Sequence, residues 1–206
     1  DGILGYGVAG GGGLPTAAED DGWRLVAQHF EQDGFRRNVY LQRDDTNGRD
    51  ETTLRGKLRL RPADGWQVDL AALYVDLDNG FDAFSPDNRL RTLSDRPGRD
   101  AQRSKGASAS VRGDLGPVTL ESVTGYGDST IVYSFDGDWG NDPYWGVYAP
   151  YDYFSRYGRQ RHTVSEDLRL LSRGTADTTG VGWLVGAYAL RLEEDNDQDD
   201  YFATDR

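Results

Sequence analysis

The stretch Leu54 to Pro62, LRGKLRLRP, constrains the fold more than any other. Arg55, Lys57, Arg59 and Arg61 occupy every second position, and Leu54, Leu58 and Leu60 lie between them. A period of two is the strand period, so the segment predicts a strand with one aliphatic face and one cationic face. A helix would mix the two sets. The strand therefore needs surroundings that are oily on one side and wet on the other.

The same alternation recurs along the chain and predicts strands near residues 2–10, 22–31, 51–61, 66–77, 104–114, 117–129, 160–172 and 181–194. Trp66, Val68, Leu70, Ala72 and Tyr74 share a face opposite Gln67 and Asp69, and Val118, Leu120 and Tyr126 share one opposite Thr119 and Glu121. Ala107, Ala109 and Val111 likewise oppose Ser108, Ser110 and Arg112. Trp66 and Tyr74 lie about 26 Å apart along a strand, or about 20 Å in height after a tilt of ~40°, near the ~25 Å apolar band of a transmembrane barrel. The strand 181–194 is apolar on both faces, and Glu166 shares a face with Leu168 and Leu170.

The connections alternate in length. Pro62 to Gly65 and Asp114 to Pro117 read as tight turns, and Ser172 to Gly180 as a somewhat longer one. At the other end the connections 32–50, 78–103 and 130–159 are long. Short turns at one end and long loops at the other suit an outer-membrane barrel, with its periplasmic turns and extracellular loops. On that reading Leu54, Leu58, Leu60, Trp66, Val68, Leu70 and Tyr74 face lipid, and Arg55, Lys57, Arg59 and Arg61 line a hydrated lumen. A soluble antiparallel sheet with one solvated face shows the same periodicity. The expected fold is thus all-β, an antiparallel up-and-down meander of about eight strands, part of a larger transmembrane barrel.

Composition bears on partners. With 35 acids against 23 bases and a net charge of -12, no nucleic-acid partner is expected, because phosphate binding needs clustered cations. The absence of cysteine excludes disulfides and thiolate chemistry. The longest apolar run, Trp183 to Leu190, is too short for a spanning helix, a test that β-strands escape. The chain begins without Met and without a basic and apolar leader, and reads as a processed or internal piece of a longer protein.

Several ordered segments carry a resemblance. They are Asp33-Gly34-Phe35-Arg36-Arg37-Asn38, then Asp44 to Glu51 leading into Leu54-Arg55-Gly56-Lys57-Leu58-Arg59, then Ser122-Val123-Thr124-Gly125-Tyr126, and last Ser165 to Leu170 before Trp183-Leu184-Val185-Gly186-Ala187-Tyr188. In order and spacing the chain resembles the first third of the barrel of TonB-dependent receptors, over nearly all of residues 1–206. The resemblance implies energised uptake of iron-siderophore complexes or similar nutrients across the bacterial outer membrane. It further implies a plug domain that engages TonB, and more barrel strands. No plug or TonB-binding segment is visible, and the final Phe202 to Arg206 lacks the terminal aromatic of such barrels. The expected partners are outer-membrane lipid, the plug, whose acids would pair with Arg55, Lys57, Arg59 and Arg61, the remaining strands, TonB, and a small ligand such as a siderophore. The alternatives are a secreted carbohydrate-binding β-sandwich and an autonomous eight-strand barrel with strand 2–10 paired to strand 181–194.

Within Tyr133 to Phe154, the side chains of Trp139, Tyr144, Trp145, Tyr148, Tyr151 and Tyr153 are candidates to stack on a ligand's rings or sugar faces, or else to pack the loop on itself. The acidic stretches Asp76 to Asp82 and Asp195 to Asp200 read as solvated loops. Calcium there is a weaker alternative, since the glycine spacing departs from an EF-hand loop. No cofactor is expected. Two histidines, His29 and His162, both within strands, mark no catalytic site. Gly10 to Gly13 reads as a relaxed turn between the first two strands.

Overall fold

A computed structural model describes residues 2–16, 20–173 and 181–202. The fold is all-β. In chain order the elements are β1 (Ile3–Gly13), β2 (Gly22–Gln32), β3 (Arg37–Asn38), β4 (Arg49–Leu60), β5 (Trp66–Phe81), β6 (Arg91–Thr92), β7 (Gly98–Asp114), β8 (Val118–Asp136), the short helix α1 (Asp142–Trp145) with a following 3-10 turn, β9 (Tyr153–Ser172) and β10 (Leu184–Phe202). Eight of the strands form one antiparallel meander in the order β1-β2-β4-β5-β7-β8-β9-β10. The remaining pair, β3 and β6, is a two-residue parallel bridge between loops.

β1 and β10 are the two edges of an open sheet and do not pair with each other, which sets aside the closed eight-strand alternative. No second layer covers the sheet, and no apolar side chain is buried among the described residues. Leu54 is 44% exposed and Leu70 39%. The β-sandwich alternative, which requires a core between two sheets, does not describe this architecture.

The strands run further toward the long loops than the sequence predicts. β5 continues to Phe81, β8 to Asp136 and β10 to Phe202, and β9 starts at Tyr153. The expected solvated loops Asp76 to Asp82 and Asp195 to Asp200 therefore lie in strands, apart from Asp82 just past the end of β5. Their acids are matched across the ladder: Arg103 binds Asp76 at 3.1 Å, Arg99 binds Asp78 at 2.7 Å, and Arg156 lies 3.2 Å from Asp199. Gly10 to Gly13 also belong to a strand, paired in register with Leu25, Arg24, Trp23 and Gly22.

The short turns hold as expected. Gly65, at φ 74°, closes the first, where the Trp66 amide donates to Ala63 at 3.0 Å, and Gly116, at φ 85°, closes the second. Both glycines occupy the left-handed region that other residues avoid. Residues 174–180 of the third turn lie outside the described residues.

Register assigns each side chain to one of two faces. On the first face, Leu54 meets Ala27 and Tyr74, Leu58 meets Trp23 and Leu70, and Leu60 meets Val68. Val68 continues to Val111, and the indole of Trp66 lies over Gly113, where a Cβ would come within 2.6 Å of the ring. On the second face, Arg24 meets Lys57, Val26 meets Arg55, and Arg59 meets Asp69. This face goes on through the small residues Ala71, Ser108 and Gly125. The expected separation of Leu54, Leu58, Leu60, Trp66, Val68, Leu70 and Tyr74 from Arg55, Lys57 and Arg59 is thus present. Arg61 is the exception: it follows the last residue of β4, and its side chain binds Asp20 in the turn below.

Candidate functional site

The three long connections fold together over one end of the sheet, and what joins them is polar. Asn38, fully buried, donates from Nδ2 to Asp82 at 2.9 Å and to the Ser94 carbonyl at 2.8 Å, while its Oδ1 accepts from the Leu41 amide. The buried Thr92 hydroxyl donates to the same Asp82 carboxylate at 2.6 Å. One residue from each of β3 and β6 thus clamps the acid that follows β5. The third loop joins through the Asp95 amide, which donates to Gly140, and through Asn141 Nδ2, which donates to the Leu93 carbonyl at 2.7 Å. Asn141 also caps α1 by accepting from the Tyr144 amide, the usual work of an Asn ahead of an Asp-Pro start.

Asp138 organises the third loop. Its carboxylate accepts from the Gly140 amide at 2.9 Å, the Tyr153 amide at 2.8 Å and the Trp145 indole at 3.0 Å. Nearby Asp136 is buried, and the desolvation, reinforced by the charges of Asp138 and Asp95, pushes its carboxyl up to about 7.

Beneath these loops, on the second face, Phe81, Tyr133, Phe135 and Tyr157 form a continuous aromatic floor. Phe81 meets Tyr133 edge-on at 4.9 Å, Tyr133 meets Phe135 at 5.7 Å, and Phe135 lies nearly parallel to Tyr157 at 6.4 Å. Phe84 extends the floor upward, edge-on to Phe135 at 5.9 Å and stacked on Trp139 at 5.2 Å. Trp139 sits at φ 63°, a costly backbone for a bulky residue, within the turn held by Asp138. A hollow of about 670 Å³ opens over Ile131, Tyr133, Phe135 and Tyr157, rimmed by Arg159 and Gln198. Burial, and then the charge of Asp100, pushes the Tyr133 phenol above its ordinary range.

The six aromatic candidates fall into four settings. Trp139 joins the floor through Phe84. Tyr144, Trp145 and Tyr151 instead pack on one another, with both Trp145 contacts edge-on at 5.0 Å, and hold α1 against its own loop. Tyr153 stacks on Phe202 at 4.9 Å, and Tyr148 stands 77% exposed. The floor residues Phe81, Phe84, Tyr133, Phe135 and Tyr157 were not singled out by sequence, although Tyr133 and Phe135 carry the period-two signal. Among the described residues no group of three or more acid or histidine side chains is arranged to hold a metal ion.

Comparison of the chain with family models, curated proteins and solved structures finds no match.

Proposed function

We propose that the chain supplies eight strands of a transmembrane β-barrel of the outer-membrane receptor type, with the leucine face in lipid, the arginine face in the lumen and the joined loops outside. The observation that carries this reading is the slant of the apolar band. Its loop-side limit steps down across the sheet from Leu4 in β1, through the row Ala27-Leu54-Tyr74 and the row Ala107-Tyr126-Val164, to Ala189 in β10. Past that limit the same face turns polar, with Asp76, Lys105, Asp128, His162 and Arg191.

In β4 the level of Leu4 corresponds to Asp50 and that of Ala189 to Leu58, a shift of eight residues across eight strands. Eight residues span about 26 Å and seven strand spacings about 34 Å, so the band leans about 38° from the perpendicular to the strands. That falls within the ~35–45° strand tilt of membrane barrels, where a level bilayer must cut tilted strands obliquely. A soluble sheet has no reason to slant its apolar band.

In this arrangement the aromatic floor faces the lumen just below the outer loops, where a planar or ring-bearing nutrient would first dwell. Uptake through a plug driven by TonB is the transport role that the sequence resemblance suggests. The test places single cysteines, carrying a fluorophore, at Leu58, Leu60 and Leu70 and at Lys57, Arg59 and Asp69 in the full chain reconstituted into vesicles with nitroxide lipids. The proposal expects quenching at the first three and not at the second three. Equal quenching in both sets, or none in either, overturns it.

A further inference from the structure

The second face carries a cluster of cations that lack an ion-pair partner within 4 Å among the described residues. Arg24 and Lys57 are direct cross-strand partners, and Arg55 is the next residue of β4 on that face. Like charges placed opposite each other on a sheet repel, and this protein has acid to spare, with a net charge of -12. Elsewhere it uses that acid: Arg43, Arg99, Arg103, Arg112 and Arg161 each lie within 4 Å of a carboxylate. Arg24, Arg55 and Lys57 have no such partner among the described residues.

The nearest acids are already committed. Asp69 accepts from Arg59 at 2.7 Å and from Gln67 at 2.5 Å, and Asp20 binds Arg61. Beside the cluster the sheet is low. Lys57 faces Ala71, and Ala71 faces Ser108, so the methyl group of Ala71 is all that stands between two strands whose backbones are two spacings, about 10 Å, apart and carry Lys57 and Ser108. Ser110 stands one place further along the same face. A hollow of about 560 Å³ is lined by Arg24, Arg55, Lys57, Arg59, Ser108 and Ser110, and also by Asp20 and Asp69, whose carboxylates are held by Arg61 and Arg59. It lies near the short-turn end, remote from the aromatic floor.

We propose that this hollow binds a small oxyanion of the phosphate or carboxylate class, held by Arg24, Lys57 and Arg55 and completed by the Ser108 hydroxyl. Two guanidinium groups supply fixed forks that match the planar geometry of an oxyanion, the ammonium supplies a point charge, and the serine supplies a neutral donor. The site does not depend on what covers the leucine face, so it stands or falls apart from the membrane reading.

The experiment titrates inorganic phosphate and succinate into the full chain in detergent micelles and follows binding by calorimetry. Saturable binding of either anion is expected, weakened about tenfold or more by Arg24→Gln with Lys57→Gln. Lys57→Arg should keep binding near that of the wild type. Arg112→Gln, on the same face but paired with Glu121, should leave it unchanged. If the double variant loses its strand signal in circular dichroism, Arg24→Gln alone carries the test with the same sign. Absence of binding by the wild type at millimolar anion, or equal weakening by Arg112→Gln, overturns the proposal.

Discussion

Thr124 and Glu166 are direct partners across the β8-β9 ladder, and the threonine hydroxyl donates to the carboxylate at 2.5 Å. The Ser122 hydroxyl donates to the other carboxylate oxygen at 2.6 Å. The sequence places Glu166 awkwardly among Leu168 and Leu170, and these two hydroxyls are the device that accommodates it. Both come from the polar gap in the band of β8, between Leu120 and Tyr126. If that face meets hydrocarbon, even a bonded carboxylate there is costly. Glu166→Leu is then expected to stabilise the protein in bilayers, by removing the depth-dependent penalty of an acid on a lipid face. Urea unfolding in vesicles measures it. A loss of stability instead would mean that the face is wet.

The leucine face and the arginine face should respond oppositely to one new cation. Leu58→Arg is expected to cost about 2–4 kcal/mol in bilayers, the range for arginine near a membrane midplane. Ala71→Arg, on the other face beside Lys57, should cost under about 1 kcal/mol and restore little when salt is raised. The pair shares a strand neighbourhood, so the difference between the two variants cancels most effects of strand propensity. Similar costs for both would remove the distinction between the faces.

The sequence exposes the lower half of the sheet because there the two faces differ in polarity: leucine against arginine in β4, valine against aspartate in β5. Above the band that contrast ends. In β5 the alternation changes phase, Asp76 and Asp78 now standing on the face of Tyr74 with Val75 and Leu77 opposite, and Asp195 to Asp200 are polar throughout. Asp78 and Asp195 to Asp200, beyond the predicted strands, become strand residues only once register sets Arg99 and Arg156 beside them. Gly10 to Gly13 were invisible for another reason. They have no side chains to alternate, and their strand character comes from pairing with β2, where the Trp23 ring lies over Gly10. The aromatic floor draws on β5, β8, β9 and a loop, and no local window of sequence contains it.

Asn38 should behave as the keystone of the loops. Asn38→Ala removes the donor shared by Asp82 and the Ser94 carbonyl and leaves both buried. A loss of about 2–4 kcal/mol in local stability is expected, from one charge-assisted and one neutral bond together with the orphaned Ser94 carbonyl, while Asp82 keeps the Thr92 hydroxyl. Amide hydrogen exchange should show it in residues 36–43 and 90–96, with the β7-β8 ladder unaffected. Loss of protection throughout the sheet would show instead that the loops and strands unfold as one unit.

Asp136 gives the loops a dependence on pH whose sign follows from its surroundings. Its carboxyl is raised from the ordinary aspartate range to about 7, chiefly by burial and then by the nearby charges of Asp138 and Asp95. The folded loops therefore bind a proton more tightly than the unfolded ones. Their stability is fully present below the ordinary aspartate value near 4 and falls as pH rises toward about 7, above which the loss levels off. The thermal transition of Trp139 and Trp145 fluorescence should accordingly move to lower temperature between pH 5 and pH 8, values chosen to bracket most of the change. Asp136→Asn keeps the shape, cannot ionise and retains an acceptor for the Asp138 amide, which the Asp136 carboxylate now binds at 3.2 Å. That variant should have a transition flat over the same interval, and above neutrality it should melt higher than the wild type. A wild-type transition that rises with pH, or a variant that keeps the full slope, would place the responsible proton on another group.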